Sequence, residues 1–142
     1  MYKRQVYPAL IDTVGDVGSI IGSTVTTKLA LGTIKPKFSS IKRQLTVVFS
    51  SWLASLVLFV CYALISSFAN ELTSLGGILQ FVSQLLIANA LAVAVMVCIS
   101  YSIAIFTYKR GLNPDNFVIP IESSLADTVT TAAVLVALAL IL

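Results

Sequence analysis

Histidine is absent from this chain of 142 residues. That absence removes imidazole metal ligands, imidazole general bases and Ser-His-Asp arrangements together. Charge is scarce as well. Asp, Glu, Lys and Arg make up 11% of the residues, where a soluble domain carries about 25%. So few charges do not cover a water-facing surface. Only two cysteines occur, Cys61 and Cys98. Each lies in an apolar run without CxxC or Cys/His spacing, so both read as small hydrophobic residues, not as a disulfide or metal pair. The start, Met1-Tyr2-Lys3-Arg4-Gln5, runs into Pro8, Asp12 and Asp16 and lacks the apolar core of a signal peptide. No segment repeats and no Gly/Ser or Pro linker divides the chain, so residues 1–142 read as one membrane domain. The closing Leu140-Ile141-Leu142 stops inside an apolar run, which suits a fragment of a longer chain.

What is present is apolar. Hydrophobic residues make up 58% and the mean hydropathy is +0.98, a composition for which a bilayer is the matching solvent. The pattern predicts four transmembrane helices, over 8–31, 41–69, 78–108 and 117–142. No charge occurs between Arg43 and Glu71, a stretch longer than the roughly 20 residues a bilayer requires. Lipid offers no partners to free backbone groups, so the spans must be helical. Pro8 suits a first helical turn, and Gly32 and Pro36 mark that helix's end. The expected fold class is an all-α integral membrane protein, multi-pass, placed in the plasma membrane.

A net charge of +3 does not point to nucleic acid. The basic residues sit in short loops, without stacking aromatics between them. Lys28, Lys35, Lys37, Lys42 and Arg43 flank the first loop, and Lys109 and Arg110 with Asp115 flank the third. Both are expected to be cytoplasmic, with the Glu71 loop outside. This places residue 1 outside beside Lys3 and Arg4, against the rule; a helix preceding this chain would account for how the start reaches that side.

The informative residues are the acids within the spans. Each costs a few kcal/mol at the bilayer centre. On the first helix Asp12, Asp16, Ser19, Ser23 and Thr26 recur at spacings of four and three, forming one polar stripe. Beside it run Gly15, Gly18 and Gly22, small residues that let another helix approach closely. A polar stripe flanked by glycines suits a helix lining a path, and tight packing with solvated acids is the plainer reading. On the fourth helix Pro120, Ser123, Ser124, Asp127 and Thr131 share a face. Asp127 is expected about nine residues in, roughly 13 Å deep, with Asp12 and Asp16 in the outer half of their helix, so that the acids occupy successive depths. A protonated Asp127 bonded to a neighbouring Ser or Thr is the alternative. Glu122 faces away from Asp127 and reads as an interface charge. Carboxylates, hydroxyls and carbonyls are hard oxygen donors, suited to Mg²⁺, Ca²⁺ or Mn²⁺. Chemistry alone does not separate these from Na⁺ or protons. Gln80, Gln84 and Asn89 on the third helix read as interhelical hydrogen-bonding groups.

Two stretches carry a family resemblance. Gly111-Leu112-Asn113-Pro114-Asp115-Asn116, then Pro120 and Ser123-Ser124-Leu125-Ala126-Asp127, resembles the final loop and helix of MgtE-type magnesium transporters. Pro8-Ala9-Leu10 followed by Gly15-Asp16-Val17-Gly18-Ser19, and the later Leu29-Ala30-Leu31-Gly32, are similar to that family's first conserved stretch. The resemblance covers nearly the whole chain. It implies a five-helix membrane domain whose first helix is missing here, used as a dimer with the pore between halves. It implies that Asp127 binds the ion, with Ser123 one turn before it. Asp16 stands where bacterial members often have asparagine, and Ser19 where they have a second. The family's soluble gating domains have no counterpart in this sequence.

The expected function is therefore a divalent-cation channel or transporter, for Mg²⁺, with Asp127, Asp16, Asp12, Ser123 and Ser19 on the ion path. No cofactor is expected beyond Mg²⁺ as the transported ion. The expected partners are membrane lipid and a second copy of the chain as a homodimer, and no nucleic acid. A Na⁺- or H⁺-coupled exchanger and a non-transporting membrane subunit are the competing readings; an enzyme is not expected.

Overall fold

A computed structural model describes residues 3–70 and 74–141 and, for residues 3–5, the backbone alone. Glu71 lies outside the described residues. Four long α-helices follow one another: α1 (Lys3–Ala30), α2 (Leu45–Ala69), α3 (Leu75–Lys109) and α4 (Asp115–Ile141). A 3-10 segment, Phe38–Gln44, leads into α2. No strand occurs among the described residues. Three helical stretches, Phe38–Ala69, Leu75–Lys109 and Asp115–Ile141, are long and apolar enough to cross a membrane. α1 is not among them; Asp12 and Asp16 interrupt its apolar residues.

Local chemistry explains the boundaries. α1 and α3 both end on a glycine with positive φ, 67° at Gly32 and 71° at Gly111. At each, the next amide reaches back to close the helix: Thr33 N–H donates to the Lys28 carbonyl and Leu112 N–H to the Thr107 carbonyl, both at 3.0 Å. This six-to-one closure needs a left-handed residue, which glycine adopts at no steric cost. α4 then starts at once. Asn113 Oδ1 accepts the Asp115 amide at 3.2 Å, and Pro114, whose missing N–H is harmless at a helix start, offers its carbonyl to Phe117 N–H at 2.9 Å. The Gly-x-Asn-Pro string is thus a helix stop followed by a helix start. Pro8 differs from expectation: α1 begins at Lys3, so Pro8 falls in the second turn instead of the first.

α1 and α3 form the centre. Each packs against all three other helices, and α2 and α4 flank them on opposite sides. The apolar stripe of α1, Val6, Leu10, Val14, Val17, Ile21, Val25 and Leu29, is buried along its whole length. It recurs every three or four residues, the repeat that keeps one face of a helix inward. Its first half meets Phe59, Phe81 and Met96; its second half meets Val93, Val97 and Tyr101. Between α2 and α3, Asn89 is fully buried and donates from Nδ2 to Ser55 Oγ at 3.0 Å, the interhelical bond expected of it. Gln80 Nε2 donates to the Ile141 carbonyl at 3.4 Å, linking α3 to the far end of α4. The outer surfaces of α2, α3 and α4 carry Phe49, Leu53, Val57, Leu79, Leu91, Val95, Leu135 and Val136, all exposed. Cys61 and Cys98 are free thiols on that outer surface.

Candidate functional site

The site is built on the α1–α4 seam. α1 and α4 run antiparallel, and four contacts fix their register. Tyr7 Oη and Thr131 Oγ1 hydrogen-bond near the start of α1. A Cβ placed on Gly15 would meet Ala126 Cβ at 3.5 Å; one on Gly18 would meet Glu122 Cδ at 3.3 Å; one on Gly22 would overlap Val118 Cγ1. Reading inward from Tyr7–Thr131 brings Asp12 level with Asp127. Reading onward from Gly15–Ala126 brings Asp16 level with Ser124, one residue from Ser123. At 1.5 Å per residue these offsets are within about 2–3 Å.

Asp12, Asp16, Ser123, Ser124 and Asp127 are all exposed, and Ser19, Ser23 and Thr131 are half-buried. They line the outer lip of the seam. Asp12 and Asp127 stand at one level along the seam, set by the register of α1 against α4, and Asp127 is twelve residues along α4, about 18 Å from the helix start. Asp16 sits one turn closer to the basic end. Thr26, the last member of the α1 stripe, turns inward and is buried, with no hydrogen-bond partner for its hydroxyl among the described residues. No three Asp, Glu, His or Cys side chains converge enough to hold a metal ion among the described residues. One copy of the chain therefore presents a row of oxygen donors, not a closed cage.

Glu122 overturns its sequence reading. It is not an interface charge: its exposure is 0%. Gly18 and Gly22 of α1, Met96 of α3 and Val118 of α4 surround it. Neither carboxyl oxygen has a hydrogen-bond partner among the described residues. The physical reason is the glycine stripe. Two side-chain-free positions one turn apart open a slot on α1, and the Glu122 side chain fills it. A charged carboxylate taken from water costs several kcal/mol, and a hydrogen bond to a charged group returns only about 1.5–3 kcal/mol. Among the described residues this slot supplies no cation.

The groups at the basic end complete the seam. Thr26, Thr27, Leu31, Tyr108, Asn113 and Asp115 line an open cleft between the end of α1 and the α3–α4 loop. Lys28 Nζ donates to Gln44 Oε1 at 2.6 Å, and Gln44 is buried. The ends of α1 and α3 therefore lie at the same side, as the clustering of basic residues requires.

Compared with known proteins, the chain matches one family model, MgtE, described as a divalent cation transporter, over residues 7–137. No curated protein and no solved structure gives a match. The matched region runs from the Tyr7–Thr131 contact through both stretches that carry the resemblance and past Asp127, so it contains the whole seam.

Proposed function

The chain belongs to the MgtE family of divalent cation transporters, and from that premise we propose that it carries Mg²⁺ along the acid-lined lip of the α1–α4 seam, completed by a second copy. The four helices act as one membrane-spanning bundle in the plasma membrane, with α1 joining the three apolar spans. The carrying observation is the contrast on the outer surface. α2, α3 and part of α4 present large apolar side chains outward, whereas the lip between α1 and α4 presents Asp12, Asp16, Ser123, Ser124 and Asp127. Each aspartate facing lipid at the helix centre costs about 2.5–3.5 kcal/mol. Three on one strip make a lipid-facing strip untenable unless water, a cation or another protein surface covers it.

A two-fold partner covers it best. An isologous interface brings the same strip from both copies face to face, doubling the carboxylates around one axis and closing the row into a path. Mg²⁺ holds its water tightly and needs few direct ligands. Asp127 contributes the charge at the middle of the path. Ser123 and Ser19 contribute hydroxyls to the ion's water shell, and Asp12 and Asp16 draw the cation in. The test is transport by purified protein in liposomes. Mg²⁺ uptake is expected for the wild type and loss of it for Asp127→Asn. Uptake at the wild-type rate by that variant removes Asp127 from the path. A monomer by cross-linking in the bilayer removes the shared interface.

A further inference from the structure

The flank of α4 away from the lip carries a second feature. Ile121 and Ser123 are two residues apart, so they point about 200° apart on the helix. Ser123 stands on the lip and Ile121 stands toward α3. There Ile121, Ser102 and Ile103 are shared by two open hollows, one of about 540 Å³ nearer the basic end and one of about 680 Å³ further along α3. Together they make one groove from Lys109 to Ala94. We infer that this groove seats one anionic phospholipid of the leaflet at the basic end, its acyl chain lying along α3 and α4 and its phosphate on Lys109 and Arg110. The inference needs only that the bundle spans a bilayer, not that it carries Mg²⁺.

Length supports a lipid. Ala94 and Lys109 are 15 residues apart on α3, about 22 Å. A bilayer with its headgroups is about 40–45 Å thick, so one leaflet is about 20–22 Å deep. The groove therefore runs from headgroup level to the midplane, the span of one lipid molecule.

The lining suits an acyl chain. Val95, Phe106, Phe117 and Ile121 are exposed along it. Its two hydroxyls are engaged within their own helix, Ser102 donating to the Cys98 carbonyl and Thr107 to the Ile103 carbonyl. Asp115, at the start of α4, lines the cleft beside α1 and not this groove.

Charge selects the headgroup. Lys109 lines the mouth. Arg110 Cζ stands 4.8 Å from the centroid of the Phe106 ring, and a stacked guanidinium keeps its N–H edge for a phosphate. Both side chains are exposed, and neither has an ion-pair or hydrogen-bond partner among the described residues. Phe38 closes the same mouth, and the exposed Lys37 precedes it in the chain. A zwitterionic headgroup brings its own ammonium to the phosphate; an anionic one does not, so unpaired cations favour it. The α2–α3 groove makes the contrast. Leu45, Phe49, Trp52 and Val93 help line it, and no basic residue does.

Tryptophan quenching by brominated lipid tests the site. Trp52 is the single tryptophan, so the unaltered chain in vesicles reports the α2–α3 groove. The full chain with Trp52→Phe and Ile121→Trp reports the α3–α4 groove. Brominated phosphatidylglycerol is compared with brominated phosphatidylcholine at the same fraction in phosphatidylcholine vesicles. At position 121 a preference of at least about fivefold for phosphatidylglycerol is expected, the weight of one basic group at an anionic lipid surface. It should fall to within about twofold when Lys109→Gln and Arg110→Gln are added, and Trp52 should show no such preference. An equal preference at both positions overturns the site, since a basic end that gathers anionic lipid without a seat gives that result. A preference that survives loss of both cations overturns it too. So does a tryptophan at 121 shielded from both lipids alike, the result of a second protein copy in the groove. Thermal unfolding of the wild-type chain in neutral detergent answers even if the tryptophan variant does not fold. Added phosphatidylglycerol should raise the midpoint more than phosphatidylcholine does, and an equal rise overturns the inference.

Discussion

Glu122 and Asp127 stand five residues apart on one helix, and the protein treats them oppositely. Glu122 is sealed inside against two glycines, with no hydrogen-bond partner for either carboxyl oxygen among the described residues. Asp127 is exposed beside Ser123 and Ser124. Five residues turn a helix by about 140°, enough to carry one side chain from the core to the outer lip. The comparison teaches that an acid in a membrane helix has two distinct ways to exist. It can stand at the outer surface, open to water, a cation or a second copy, or be enclosed among the side chains of neighbouring helices. Sequence position alone does not say which. The partner helix decides, through the size of the side chains it offers.

The most severe way to break the comparison is to remove charge from the lip. Asp127→Asn keeps shape and deletes the charge, and Mg²⁺ uptake in liposomes is expected to fall at least about a hundredfold, roughly 2.7 kcal/mol in the barrier. Glu122→Gln, also an amide for an acid, removes nothing from the lip and should leave uptake within about threefold of the wild type. If the two variants behave alike, the lip and the slot are not different places.

The next effect is on packing, and it contrasts two glycines on the same stripe. At Gly22 an added methyl overlaps Val118 Cγ1, whereas at Gly15 it meets Ala126 Cβ at an ordinary 3.5 Å. Gly22→Ala is expected to cost about 1–3 kcal/mol through overpacking. Gly15→Ala should be neutral or gain up to about 1 kcal/mol, since alanine favours the helix. Thermal unfolding in detergent reads both. Equal midpoints for the two variants would mean that α4 does not close on α1 around Glu122.

Much of this was legible in the sequence. The four helices, the glycine stops and the polar stripe of α1 follow from uncharged runs, Gly and Pro punctuation and three-to-four spacing. The Gly18–Gly22 pair correctly announces a close helix contact. The inward burial of Glu122 was not legible. A glycine pair shows that something approaches, not which residue of the partner enters, because that depends on the register of two helices about a hundred residues apart in the chain. The same holds for the level of Asp127 with Asp12, which follows from the register of α1 against α4. Thr26 fits the stripe by spacing, yet it is buried at the basic end where α1 meets the α3–α4 loop.

The smallest expected effect falls on Asp16. It is exposed on the lip, level with Ser124 and one turn from Asp12. It stands where the family resemblance has asparagine. The amide keeps an oxygen donor for the ion's water shell, and the level occupied by Asp12 and Asp127 retains its charge. Asp16→Asn should therefore change Mg²⁺ uptake by no more than about threefold, roughly 0.7 kcal/mol. Salt sharpens the reading: if Asp16 only attracts the cation, its effect should fade as ionic strength shortens the screening length from about 10 Å at 0.1 M to about 3 Å at 1 M. A loss as large as that of Asp127→Asn, insensitive to salt, would move the ion's tightest contact one turn toward the basic end, to the level of Asp16 and Ser124.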